Sequence, residues 1–278
     1  MSISLPRFTR RETPLLGRSH RARAIVFTGL RREFRRPASI FAIAVGTLIT
    51  TVISIFFVLF APFLLQGQPL DLTFFYLPAS NLSILFFVTL MAAIVGSGLV
   101  ADDLRTMALT LYLSRPITHA DYLAAKAAVL GPLVAMVAIL PLAITPIVAA
   151  LLGFFASSIA LHALGLSLVI GFVLTAFYTS IALFLSSLTS RKAYAAAGIF
   201  AVTFGLTIPA QLLASAINQP ALLYLSPWED FLAVARGAFG VGGGPIDWAP
   251  ALIILLGETV FASLATYVRM RALEVITG

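Results

Sequence analysis

Ionisable residues are rare in the long apolar stretches of this chain, and one carboxylate among them is a first candidate for chemistry. Glu258 lies near the middle of an apolar segment close to the C terminus. A charged side chain at the centre of a bilayer costs about 2.5–3.5 kcal/mol even on the mildest scales, so Glu258 must face protein or water. Two roles stay open for it. It either belongs to a transport pathway or bonds to a hydroxyl group on a neighbouring helix.

A second candidate is a row of polar residues in the preceding apolar segment. Its four members recur at every fourth position and therefore fall on one face of a helix; they are Thr203, Thr207, Gln211 and Ser215. Such a row either lines a translocation path or holds helices together, because small polar residues favour close packing in membranes.

Several kinds of chemistry are excluded by what the sequence does not contain. The two lysines follow Ala125 and Arg191, so no nucleotide-binding P-loop is present. The three histidines lie in different segments and the chain has no cysteine, which leaves no set of metal ligands with recognisable spacing. We therefore predict no catalytic residue, no metal site and no cofactor in this chain.

Composition places these candidates in a membrane protein. Hydrophobic residues make up 60% of the 278 positions and charged residues only 10%, with a mean hydropathy of +1.03. Globular domains have about 25% charged residues. The net charge of +7 does not indicate nucleic acid, because ten of the 18 basic residues precede residue 37 and most others flank apolar runs. This placement is typical of membrane topology and of contact with anionic lipid.

Six segments are long and apolar enough to cross a bilayer, which needs about 20 apolar residues. They span about 38–65, 81–101, 126–154, 159–187, 193–217 and 249–269. Seventeen Lys and Arg residues fall on one side of this arrangement and only Arg236 on the other, so the positive-inside rule places both termini in the cytoplasm. The sequence predicts an all-α polytopic fold with a basic cytoplasmic tail at 1–20 and an external, re-entrant segment at 218–248.

Residues 21–36 predict an amphipathic helix lying in the headgroup plane before the first span. One side is apolar, and the other carries basic residues that would face lipid phosphate. The charged residues near its end are Arg31, Arg32, Glu33, Arg35 and Arg36. Glu33 falls on the apolar side. The helix is either a simple membrane anchor or also a brace for a cytoplasmic partner.

The segment between the second and third spans, residues 102–125, carries the most informative motif. It reads Asp-Asp-Leu-Arg at 102–105, Leu-Ser-Arg-Pro-Ile-Thr at 113–118 and Asp-Tyr-Leu at 121–123. Pro116 ends the helix that leaves the second span. Thr118 and Asp121 predict a capping box that starts the next helix. The result is a protruding helix–turn–helix that a soluble partner could bind.

This motif resembles the loop between the second and third spans of ABC-2 type permeases. The charged end of the 21–36 helix, the six spans and Leu-Ser-Pro at 225–227 are also similar to that family, so the resemblance covers about residues 21–271. It implies a permease that pairs with a second copy or a paralogue and with two ABC ATPase subunits, which bind the ATP and magnesium. The resemblance also implies that the 102–125 loop docks on the ATPase through Asp102, Asp103, Arg105, Arg115, Pro116, Asp121 and Tyr122.

The expected protein is therefore the permease subunit of an ATP-driven exporter in the inner or plasma membrane of a prokaryote. Two alternatives from other classes stay open, and both centre on Glu258. One is a proton-coupled secondary transporter, which would respond to a proton gradient. The other is an intramembrane enzyme, which would turn over a compound without ATP. The sequence does not identify the substrate.

Overall fold

The computed structural model describes residues 18–64, 71–108 and 118–277. Eight helices account for most of this part of the chain. In order they are α1 (Arg18–Glu33), α2 (Pro37–Leu59), α3 (Leu82–Arg105), α4 (His119–Leu151), α5 (Ser157–Leu188), α6 (Lys192–Ile217), α7 (Pro227–Ala238) and α8 (Trp248–Thr277). Short helical turns lie at Ala61–Leu64, Leu72–Phe75, Tyr76–Ala79 and Pro220–Leu225.

Six of the eight helices are long and apolar enough to cross a membrane, namely α2, α3, α4, α5, α6 and α8. The described ranges contain no β-strand. Backbone amides within lipid must be satisfied inside each segment, and long helices do this. The prediction of an all-α polytopic membrane protein with six spans is confirmed.

Helix α3 lies at the centre of the bundle, whereas α6 and α8 lie at its edge. In its most apolar stretch α3 has 78% of its residues buried, compared with 17% for α6 and 22% for α8. Helices α4 and α5 form the most extensive helix pair. A displacement of α3 must therefore be felt by most of the other spans.

Helices α3 and α6 each contain one π-helical turn, at Ala92–Gly96 and Ala201–Gly205. Just before the α3 turn, the Thr89 hydroxyl donates to Thr203 Oγ1 at 3.2 Å and bonds the Tyr178 hydroxyl at 2.9 Å. Three spans therefore meet in one polar contact. Local π-turns are frequent at functional positions in helices.

The amphipathic helix before the first span is α1, which occupies residues 18–33 rather than the expected 21–36. It ends at Glu33, and after a short turn Pro37 takes the first position of α2, where its missing amide hydrogen is not needed. Helix α1 packs against α4 so closely that a Cβ on Gly29 would lie 2.6 Å from Val129 Cγ2.

Within the segment 218–248, which the sequence predicts to be external, helix α7 packs mainly against α8. The C-terminal end of α7 meets the start of α8, since a Cβ on Gly237 would lie 2.2 Å from Cγ of Trp248. Asp230, in the first turn of α7, is an electrostatic neighbour of Glu258 on α8. The two helices are therefore antiparallel. At 1.5 Å per residue, the ten positions from Trp248 to Glu258 correspond to a depth of about 15 Å along α8.

Candidate functional site

The base of the 102–125 loop is held together by one buried carboxylate on α3. Asp103 Oδ2 forms an ion pair with Lys126 Nζ at 2.6 Å and accepts a hydrogen bond from the Tyr122 hydroxyl at 2.7 Å. Tyr122 is fully buried, and Asp103 and Lys126 are nearly so. A buried charge needs both a counter-ion and hydrogen bonds, and Asp103 has both. These contacts fasten the end of α3 to the start of α4.

The start of α4 has the predicted cap. The Thr118 hydroxyl accepts from the Asp121 amide at 3.2 Å, and Asp121 Oδ2 accepts from the Thr118 amide at 3.0 Å. This reciprocal pair satisfies two amides that would otherwise have no partner at a helix start. Asp121 therefore shapes the loop from within.

The remaining residues of the predicted docking set divide into two groups. Asp102 and Arg105 lie on the accessible side of α3, with their charged groups 3.9 Å apart. They are the members of the set that a partner could contact directly. Arg115 and Pro116 lie outside the described residues, so the tip of the loop is known only from sequence.

A second buried carboxylate, Glu33, organises the junction between α1 and α2. It pairs with Arg32 Nε and Arg36 Nη1, each at 3.1 Å, and accepts from the Ser39 hydroxyl at 2.9 Å. Glu33 is completely buried, which explains its position on the apolar side of the helix. Arg31 and Arg35 are exposed and remain available to lipid phosphate or to a partner.

The four-residue polar row of α6 faces α7 along most of its length. Thr207 Oγ1 accepts from the Ser226 hydroxyl at 3.0 Å, and the Gln211 amide donates to Glu229 Oε1 at 2.7 Å. Thr203 is buried in the contact with Thr89, whereas Ser215 is exposed and bonds only its own helix. Three members of the row therefore join α6 to other helices in this conformation.

Glu258 lies in an acidic cluster that sequence analysis did not predict. Its electrostatic neighbour on α7 is Asp230, which is fully buried and which is also influenced by the nearly buried Glu229. Neither carboxylate oxygen of Asp230 accepts a hydrogen bond from the described residues, and neither does Glu258 Oε2. We define Glu229, Asp230 and Glu258 as the outer acidic cluster.

The outer acidic cluster changes the titration of Asp230. Burial raises the pKa of Asp230 to about 8, and the charges of Glu258 and Glu229 contribute further to the rise. Desolvation and like charge both disfavour the ionised carboxylate. Asp230 therefore gains a proton at a pH where an ordinary aspartate is ionised.

A sequence signal for this cluster did exist. Ser226-Pro227 begins α7, since the Ser226 hydroxyl accepts from the Glu229 amide at 3.4 Å, and the two acidic residues follow in the first turn. That arrangement predicts an exposed helix start with favourable acidic residues. The sequence did not reveal that α7 packs against α6 and α8, which buries the acidic residues of its first turn.

No group of three or more His, Cys, Asp or Glu side chains suited to a metal ion occurs in the described part of the chain. Asp230, which is buried and accepts no hydrogen bond from the described residues, can take up a proton.

Comparison with known proteins identifies one related family. A family model described as "ABC-2 family transporter protein" matches residues 42–272, which include all six spans except the first residues of α2. No curated protein matches the chain.

Proposed function

Since this chain belongs to the ABC-2 family of transporter proteins, we propose that it is the permease subunit of an ATP-driven exporter whose energy comes from separate ATPase subunits. It lies in the plasma membrane of a prokaryote with both termini in the cytoplasm. The 102–125 loop receives the movement of the ATPase and passes it to the spans.

The ion pair of Asp103 with Lys126 at 2.6 Å is the observation that carries this proposal. A docking loop transmits force only if its two ends are fixed to the helices that must move. Asp103, Tyr122 and Lys126 fix those ends, and all three are shielded from water. Asp102 and Arg105, which flank Asp103 on α3 and are less buried, are left to make the contact.

Further contacts connect the same end of α3 to α5. The Ser186 hydroxyl accepts from the amides of Val100 and Ala101 at 3.1 and 3.0 Å. It also donates to the Ser97 carbonyl at 2.8 Å. A movement of α3 at the loop is therefore passed to α5 by hydrogen bonds as well as by packing. A chain of packed helices with defined contacts is what mechanical coupling requires.

Helix α8 joins this group at its own cytoplasmic end. Arg269 Nε donates to the carbonyl of Ser187 at 2.7 Å. This bond extends the connection from α3, through α5, to the last span. A push at the loop thus reaches three spans at the same level of the bundle.

The partner permease packs against the poorly buried edge of the bundle. Helices α6 and α8 bury the smallest shares of their apolar stretches, and their outward faces carry exposed apolar side chains such as Ile208, Leu212 and Ile253. A second copy of the chain, or a paralogue, covers part of this edge and lipid covers the rest. Two six-span subunits then enclose the pathway, and each subunit holds one ATPase.

The proposal is tested by purifying the tagged chain from its native membranes and measuring ATP hydrolysis in the preparation. We expect ATPase activity to copurify. Exchanging the exposed pair as Asp102→Arg with Arg105→Asp keeps net charge and the internal ion pair but reverses the surface pattern, so most of the activity should be lost. Arg191→Glu, an exposed charge change between α5 and α6, is the matched control and should retain it.

Two results would contradict the proposal. One is equal copurifying ATPase activity for the exchanged pair and the parent chain. The other is transport by the purified chain in vesicles that contain no ATPase, which would favour the proton-coupled transporter. Turnover of a compound without ATP would favour the enzyme.

A further inference from the structure

The outer acidic cluster has an arrangement that the proposed function does not use. Asp230 on α7 and Glu258 on α8 are electrostatic neighbours, and three of their four carboxylate oxygens are buried without a hydrogen bond from the described residues. The third member, Glu229, accepts a hydrogen bond from the Gln211 amide at 2.7 Å. Asp230 and Glu258 lack even this partner.

The charged groups around Asp230 offer it no counter-ion. From α8 it faces Glu258, and from its own helix Glu229, so both nearby charges are negative. Arg236 is six residues along α7, about 240° round the helix, and therefore points to a different side. There its charge acts on Tyr76, and its guanidinium group lies against Gly244. Among the other elements packed on α7, α6 presents the amide of Gln211, and α5 presents Tyr178, whose hydroxyl bonds Thr89.

Asp230 is fully buried and Glu258 is half-buried with one carboxylate oxygen shielded from water. Ionising both without a counter-charge is unfavourable, because each ion loses hydration and each repels the other. A proton on one of them removes the repulsion between the two carboxylates and the loss of hydration of one ion. It also supplies a hydrogen-bond donor to the other carboxylate. The alternative is that α7 separates from α8, so that water reaches both groups.

We propose that Asp230 and Glu258 form a proton-binding site that keeps α7 packed against α8, and that loss of the proton releases α7. The proton is the ligand, and α7 is the element that moves. Since α7 also contacts α6 through Gln211 and Ser226, its release breaks the contacts of the polar row at the same time. The outer face of the permease then opens at alkaline pH and closes when the pH falls.

The chain contains no cysteine, so one introduced thiol reports on α7 without background. Val234→Cys places the thiol one turn after Asp230, at a position that is 7% exposed. Its rate of reaction with a membrane-impermeant maleimide is measured across pH on the purified full-length chain. Ala156→Cys, which is exposed between α4 and α5, corrects for the ordinary effect of pH on thiol reactivity.

The corrected rate at Val234→Cys should be roughly tenfold higher at about pH 9 than at about pH 6, a factor that corresponds to one pKa unit of coupling. Adding Asp230→Asn should hold the rate at its low value throughout, because the amide cannot ionise. Glu258→Gln should shift the rise to lower pH, where Asp230 alone ionises. Asp247→Asn changes an exposed carboxylate beside α8 and should leave the rise intact.

A rate that does not change with pH would overturn the proposal, as would an unchanged rise in the Asp230→Asn background. If Val234→Cys does not fold, iodide quenching of Trp228 is measured instead, in a Trp248→Phe background. Trp228 is buried on α7, next in sequence to Glu229 and Asp230. Trp228 and Trp248 are the only tryptophans of the sequence, so the fluorescence then comes from Trp228 alone. Neither measurement needs ATP or an ATPase, so failure here is separate from failure of the proposed function.

Discussion

The two ends of the bundle differ in how their buried carboxylates are surrounded. At the loop base, Asp103 has an ammonium group at 2.6 Å and a phenol hydroxyl at 2.7 Å. In the outer acidic cluster, Asp230 has two negative neighbours and no hydrogen bond from the described residues. A satisfied buried charge fixes helices to each other, whereas an unsatisfied one makes their packing depend on protonation. Under the two proposals above, the loop base transmits movement, and the outer acidic cluster permits movement of α7.

The largest effect should come from removing the cation at the loop base. Lys126→Met leaves Asp103 buried without a counter-ion, and breaking a buried pair in this way costs about 3–5 kcal/mol. The free energy of unfolding, measured in mixed micelles, should decrease by this amount. The double variant Asp103→Asn with Lys126→Met should recover much of it, since neither charge is then left alone. Equal losses in the single and double variants would show that the pair itself does not matter.

Stability should depend on pH through the outer cluster. Because the pKa of Asp230 is raised from 3.8 to about 8, the folded state holds a proton that the unfolded state has already released. Stability is therefore greatest below the lower value, falls as the pH rises between the two, and levels off above about 8. Melting temperatures across this range should fall in the parent chain, and Asp230→Asn should flatten the profile. A parent profile that rises over the same range would contradict the assignment.

A smaller loss is expected when one hydrogen bond is removed from the satisfied site. Tyr122→Phe deletes the donor to Asp103 but leaves the ion pair, and hydrogen bonds to charged groups contribute about 1.5–3 kcal/mol. The variant should unfold earlier than the parent and later than Lys126→Met. A loss as large as that of Lys126→Met would mean that the tyrosine, not the lysine, is the main partner of Asp103.

The smallest of these effects should come from the cap of α4. Thr118→Ala removes the side-chain partner of the Asp121 amide, which costs about 1 kcal/mol at a helix start. Thr118→Ser keeps the hydroxyl and is the matched control. If both variants unfold like the parent, the cap does not contribute to the stability of the loop base.

The sequence predicted the parts of the molecule that depend on local pattern. The six spans follow from runs of apolar residues, the turn before α2 from Pro37, and the start of α4 from the spacing of Thr118 and Asp121. Each of these is decided within a few residues. Helix ends were less accurate, since α1 begins and ends three residues before its expected bounds.

The clusters were not predicted, because their members are far apart in sequence. Asp103 and Tyr122 are predicted to matter for the ATPase contact, and nothing in the sequence indicated that they bond each other across 19 positions. For Glu258 the sequence predicted either a pathway role or a bond to a hydroxyl, and it did not predict Asp230 on α7 as an electrostatic neighbour. Only the packing of α7 against α6 and α8 brings these groups together, and a single sequence has no periodicity that encodes such a contact.

The most direct test of the coupling account combines both ends of the molecule. In the assembled complex at constant pH, the maleimide reaction of Val234→Cys is measured with and without ATP, in the parent background and with Asp103→Asn plus Lys126→Met. We predict that ATP changes the maleimide reaction rate in the parent. ATP should have little effect on that rate once the ion pair of the loop base is removed, although the ATPase remains bound. An equal response to ATP in both backgrounds would show that the energy reaches the outer helix by a route that does not pass through the loop base.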